Sequence, residues 1–423
     1  MVRATSKAGT FLVLSAMLGF GCTAETGNMP AEEDEEIWDD TFWAGEDAKA
    51  DGLRRTGTVT READMVPWSG YYWSMLRGEL VMGWDDHEGR QIWTSEDVMN
   101  FDGCISDYSS RCVTLLNRMA GEHGERLSPM MKFDYYTRLY LEQQNGAGGS
   151  PYTAYSHAAK WELDNHFIGD NEQHRYWDSR GYAGKCIGWA LATMENAEPT
   201  EDVDLLGITF RPADIKGYFA SIYNGAQFFV PEDQVIGQEF HDANGSDQAA
   251  YDDVKPDDFM RALMQTIGHG RMLEGDLDPG DGVWNYPMYR FEAKWTRRSS
   301  TRVSVSVKVF YPNDEVDIDQ VFSTNPRRPD MLSRTLTFDL RVSRTWNGDL
   351  TRATSGTWTG ESVDTHPDVV IMGLEEGWRT SIYDYRNTDM NTEVNFQLIK
   401  RFKRGSQWTA LVDTLIHDYT AGQ

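Results

Sequence analysis

Valine occupies every second position from Val303 to Val309 in the stretch VSVSVKVFY. A period of two puts these side chains on one face of an extended chain, so the segment is a strand with one face buried. LTFDLRV, from Leu336 to Val342, alternates in the same way, and Asn347-Gly348 is a hairpin signal. VNFQLI, from Val394 to Ile399, reads as a further strand. Upstream the period changes. PMMKFDYYTRLYLEQQ places Phe133, Tyr136 and Tyr140 on one stripe of a helix that NGAGGSP breaks. YTAYSHAAKWELDNHF reads as a second helix, with His157 and Trp161 four residues apart as packing groups. ADIKGYFASIYNG is a third, ended by Asn224-Gly225, and PDDFMRALMQTIGHG a fourth, opened by Pro256, Asp257 and Asp258 and stopping near Gly268. Helices in the first half and antiparallel strands in the second predict an α+β fold.

The chain of 423 residues, 40% hydrophobic, is long enough for a large core in one or two domains. Its formal net charge of −27 argues against a nucleic-acid partner, which needs a basic face. Arg3 and Lys7 precede a short apolar run from Thr10 to Phe20, which predicts a secretory signal over residues 1–22. That run ends in LGFGC, similar to a bacterial lipobox, so Cys22 is the expected site of lipidation and the anchor would be the chain's one link to a membrane. Seven of the ten residues from Ala31 to Asp40 are acidic. Such a run repels itself, and residues 23–65 read as a flexible tether. Globular composition begins at Val66, giving a domain over 66–423 with a helical part to about 282 and a β-rich part from about 283.

Export sorts the four cysteines. Cys104 and Cys112 in CISDYSSRC are close enough to form a disulfide in an oxidising compartment, with a zinc pair as the rival. Cys186 is left over, in GKCIGWALATM. Gly184 allows a tight turn and an apolar run then starts a helix, so the sulfur sits where a helix N-terminus and Lys185 favour a thiolate. A buried structural cysteine is the competing reading. A cysteine nucleophile needs a base and an acid to orient it. His269 and Asp276 follow in the chain, seven apart, and they converge only if a bend intervenes. His241, His366 and Asp368 are the other candidates. DLDPGDG and NDEVDID cluster carboxylates of the kind that take calcium, but neither has EF-hand spacing, and solvated turns are the preferred reading. No other cofactor or metal is expected.

These segments resemble, in order, the oomycete cell-wall transglutaminases whose surface peptide plants perceive as an elicitor. GDGVWNYPMYRF resembles the peptide segment itself. PWSGYYW, GKCIGWALATMENAEP, GITFRPADIKGYF and GTWTGESVDTHPDVV resemble its other motifs, so the likeness runs from about Pro67 to Val370. It implies a papain-like, transglutaminase-like cysteine transferase core, probed by protein substrates: glutamine donors and lysine or amine acceptors joined through a thioester. On this resemblance Cys186 is the nucleophile, and Trp189 and Trp284 would shield the thioester from water. The chain departs from the family at Ile187, where a small polar residue or histidine is usual, and at Met260, where a histidine is expected. A monomeric, exported enzyme is the leading reading. A cysteine peptidase or amidase, and an inactive cell-surface binding module of the same fold, are the alternatives.

Overall fold

A computed structural model describes residues 56–84, 91–150, 155–169, 183–226, 230–237, 253–277, 284–321, 330–344 and 350–374. The signal, Cys22, the acidic run, His241, Asn347-Gly348 and the strand expected at 394–399 lie outside them. The described chain opens with a strand, β1 (Thr56–Glu62), inside the stretch read as tether. TGTVTRE alternates, but it follows the acidic run and has one large apolar residue, Val59, so its composition hid its period.

Five helices follow: α1 (Glu79–Met82), α2 (Ser95–Cys104), α3 (Ser110–Ala120), α4 (Pro129–Asn145) and α5 (Ala158–Asn165). Their ends follow capping chemistry. Thr94 and Asp97 form a reciprocal capping box at α2. Ser128 caps α4, Pro129 opens it, and Gly146 at φ 75° ends it. A disulfide joins Cys104 at the end of α2 to Cys112 in α3. α5 starts later than its sequence pattern, because Asp134 of α4 accepts the first N–H groups, Ala158 at 2.7 Å and Ala159 at 2.9 Å.

Then come α6 (Cys186–Glu195), the small hairpin β2 (Val203–Leu205) and β3 (Ile208–Phe210), α7 (Pro212–Ala226), β4 (Val235–Gly237) and α8 (Pro256–Gln265). The remaining elements are strands: β5 (Leu273–Asp276), β6 (Asn285–Met288), β7 (Arg290–Arg297), β8 (Arg302–Pro312), β9 (Met331–Arg344), β10 (Leu350–Trp358) and β11 (Val369–Ile371). β9 and β10 pair antiparallel, as the hairpin signal between them requires. Among the described residues no helix is long and apolar enough to cross a membrane.

The fold mixes helices with antiparallel sheets, but not half by half. The five-stranded sheet runs β1-β7-β8-β9-β10 and draws its edge strand from the start of the described chain. A four-stranded sheet, β4-β11-β5-β6, takes β4 and β5 from the stretch expected to be helical. The valines of β8 are all buried, and with Phe338, Phe259 and Leu263 they form a core between sheet and α8. Met260 belongs to that core, fully buried. The helices pack around a second core, in which α6 is buried from Cys186 to Thr193. A helix apolar on all sides is a central helix. It lies against α7 so closely that a Cβ on Gly188 would stand 2.0 Å from the Ala220 carbonyl oxygen.

Candidate active site

Cys186 is the first residue of α6, as its sequence setting predicts. The preceding turn is locked in place. Lys185 N–H donates to Tyr72 O at 2.7 Å, and Met75 N–H donates to Ala183 O at 2.9 Å. Gly184 fits this wall because a Cβ there would lie 2.6 Å from the Tyr72 carbonyl oxygen and 2.5 Å from its ring.

Lys185 does not serve the thiol as a neighbouring charge. Its side chain is buried and turned to α5, with Nζ 3.3 Å from Glu162 Oε1 and 2.9 Å from His166 Nδ1. Burial alone would raise the Glu162 carboxyl, but the Lys185 ammonium and His166 outweigh it and hold it at about 2. The positive charge of Lys185 is thus matched by a carboxylate, and little of it remains for the sulfur.

Opposite Cys186 runs β6. Asn285 Nδ2 donates to Cys186 Sγ at 3.6 Å, and the Asn285 backbone N–H also points at the sulfur. Asp276 is the register partner of Asn285 across β5 and β6, and its Oδ1 accepts Trp284 N–H at 2.9 Å. Beyond Asn285, the Tyr286 hydroxyl donates to Asp314 Oδ1 at 3.1 Å. The turn carrying Asp314 is pinned to the wall beside α6: Gly70 N–H donates to Asn313 O at 3.2 Å and Val316 N–H to Gly70 O at 3.4 Å. Four segments therefore converge on one sulfur: the turn before α6, the Gly70–Trp73 wall, the β5–β6 pair and the Asn313–Val316 turn. Burial pushes the Cys186 thiol up to about 12. The Asn285 donors work against that rise, while Asp314 and Asp276 add to it. At rest the sulfur is a thiol, not the thiolate that a helix N-terminus alone would favour.

The candidate residues sort accordingly. Cys186 and Asp276 come together. His269 does not join them: it ends a short 3-10 turn before β5, exposed to solvent, whereas Asp276 is the last residue of β5. Three strand steps, roughly 10 Å, separate Leu273 from Asp276, and His269 lies beyond the far end. No bend brings the two back. His269→Ala should therefore leave amine incorporation within about 2-fold of the parent, as expected for a surface position; steady-state rates of the purified variant check this.

His366 is half-buried and stacked on Trp358 at 5.2 Å, with Nδ1 3.0 Å from Ser362 O and Nε2 3.3 Å from Asp253 Oδ2. Burial opposes its protonation, and the Asp253 carboxylate more than offsets this, so its pKa lies above the ordinary value. Asp368 is buried, and its backbone oxygen abuts Gly237. Trp189 is not a lining residue. It is fully buried beneath the site, edge-on to Tyr286 at 6.4 Å and to Trp68 at 6.5 Å. Trp284 is half-buried and meets the Tyr72 ring at 5.4 Å, at the site's edge. The carboxylates of NDEVDID diverge rather than converge: Asp314 faces Tyr286, Asp319 takes Trp84 Nε1–H at 2.7 Å, and Asp317 caps the Asp319 N–H. Among the described residues no cluster of three or more metal-binding side chains forms.

Sequence reasoning gives Asn285 only a place in the segment GDGVWNYPMYRF and Asp314 only a place in a carboxylate cluster read as a solvated turn; it assigns neither to the cysteine. A signal existed for the first: an asparagine between Trp284 and Tyr286 is a polar group in an apolar strand, which must find a partner once buried.

A comparison with curated proteins gives no match. Among solved structures the chain is similar to the crystal structure of the GP42 transglutaminase from Phytophthora sojae, with 14% identity, a TM-score of 0.49, and coverage of 86% of this chain and 92% of that one. Residues 171–321, the stretch that supplies Cys186, Asp276, Asn285 and Asp314, match the transglutaminase elicitor family.

Proposed function

We propose that the protein is an exported protein-glutamine γ-glutamyltransferase, an acyltransferase with Cys186 as nucleophile. The observation that carries this reading is the pair of Asn285 N–H donors aimed at a buried cysteine at the head of a helix. On this reading the cysteine at the head of α6 and the antiparallel strands facing it form the core of a papain-like transferase. The Cys186 sulfur attacks the carboxamide carbon of a protein glutamine. A C–S bond forms, the C–N bond breaks, and the thiol proton leaves with ammonia. Asp276 is the carboxylate that carries that proton from sulfur to nitrogen, a direct role in place of orienting His269. The oxyanion is held by the Asn285 side-chain amide and the Cys186 backbone N–H. A primary amine then attacks the thioester and yields the isopeptide bond. Trp284 and Tyr72 cover one side of the acyl group. Export agrees with the Cys104–Cys112 disulfide, a bond of oxidising compartments.

The test is Cys186-dependent incorporation of a labelled primary amine into a glutamine-rich protein, with and without calcium. In that assay Asn285→Ala should lower kcat by about 100-fold, the loss typical of one oxyanion donor. An unchanged rate would remove Asn285 from the mechanism.

One observation favours a second reading, a binding module that has given up catalysis: burial keeps Cys186 protonated. Alkylation of Cys186 by iodoacetamide no faster than that of an ordinary buried thiol, together with no amine incorporation, would establish that reading.

A further inference from the structure

Among the described residues the Asn313–Val316 turn presents a carboxylate with no paired counter-charge. Asp314 is 2% exposed. Its Oδ1 accepts the Tyr286 hydroxyl, and its Oδ2 has no hydrogen-bond partner among the described residues. The charge that acts on it among the described residues is that of Glu315, of the same sign. Burying an ionisable carboxyl without a cation is costly, and a fold retains such a group where a ligand completes it. Burial raises Asp314 to about 6, so it is largely ionised at neutral pH and able both to hold a cation and to take a proton. It stands within electrostatic reach of the Cys186 sulfur, on the side of the site framed by Tyr286 and Tyr311, whose rings lie 4.8 Å apart. Aromatic faces beside a carboxylate suit an ammonium group.

We infer that Asp314 is the acceptor-side catalytic residue: it binds the ammonium of the incoming amine and takes a proton from it. The inference rests on the acyltransferase reading above. The step balances. The R–NH3+ group gives one proton to the Asp314 carboxylate. The free amine attacks the thioester carbon, so a C–N bond forms and the C–S bond breaks. The second proton passes from nitrogen to the departing Cys186 sulfur, and the third stays on the amide. Asp314 then loses its proton to water.

The experiment compares two nucleophiles on the same purified chain: a cationic diamine and hydroxylamine, which is neutral at the assay pH. With Asp314→Asn, the ratio of diamine to hydroxylamine incorporation should fall by about 100-fold, with a higher KM for the diamine, since a general base contributes roughly that much. An unchanged ratio, whatever the absolute rates, overturns the inference. Tyr286→Phe gives a second measurement that does not depend on Asp314→Asn folding. Among the described residues the titratable groups facing Asp314 are Tyr286 from β6, Cys186 from α6, Tyr311 from β8 and Glu315 beside it, with the Arg334 guanidinium of β9 hydrogen-bonded to Tyr311. Removing the Tyr286 hydroxyl takes away a hydrogen bond that lowers the Asp314 pKa, so the acid limb of diamine incorporation should move to higher pH while that of hydroxylamine stays. Both limbs moving together counts against Asp314. Failure of the underlying reading has a different signature: no Cys186-dependent ammonia release from a glutamine donor in the parent protein, which removes the inference with it.

Discussion

Replacing Cys186 by alanine should abolish amine incorporation, with kcat falling on the order of 10,000-fold or more, because no other group in the site can hold the acyl intermediate. The substitution removes one sulfur from a buried position and leaves the Cβ, so stability should change by about 1 kcal/mol. The separation of these effects is the diagnostic part. Thermal unfolding and a continuous amine-incorporation assay, run on the same preparation, should show a folded and inactive protein. Activity that survives in Cys186→Ala would show that another nucleophile does the work, and the convergence of Asn285, Asp276 and Asp314 on this sulfur would then need a different explanation.

Gly188→Ala should be the most damaging conservative change for stability. The new methyl group would meet the Ala220 carbonyl oxygen at 2.0 Å and the Asn224 nitrogen at 2.7 Å, both backbone atoms that no rotamer change can move. Relief requires α6 and α7 to separate, which opens the helical core along its central contact. A loss on the order of 4 kcal/mol follows, at the upper end of overpacking effects. Denaturant titration measures it; a midpoint close to the parent's would mean the two helices have slack that their spacing does not suggest. The helix carrying Cys186 rests on this contact, so activity should fall with stability.

The legible parts of the chain were those where one local rule decides. Alternating valines made β8, and Pro256 with two aspartates opened α8. A small residue, a cysteine and an apolar run put Cys186 at a helix start. The site's other members depend on contacts between distant segments. Asp314 sits among acidic neighbours that read as a solvated turn, and only the pinning of that turn to Gly70 points its carboxylate inward. His269 and Asp276 converge only if a bend intervenes between them, and β5 is extended there. The resemblance offers Trp189 as a shield, but α6 is apolar on every side, a pattern that marks a core helix and cannot say which face meets a cleft. Lys185 is next to the sulfur in sequence, but its partner, Glu162, comes from another helix.

The helices and the five-stranded sheet keep separate cores, and Tyr286 touches both. Cys186 heads the central helix of one, while Asn285 begins a strand whose end, Met288, is buried in the other. The reacting groups thus face each other across the junction of two hydrophobic cores. Their alignment is a matter of register, and a shift of 1 Å between reacting atoms can cost about 100-fold in rate. A chain built this way can keep both of its interiors intact and still lose its chemistry.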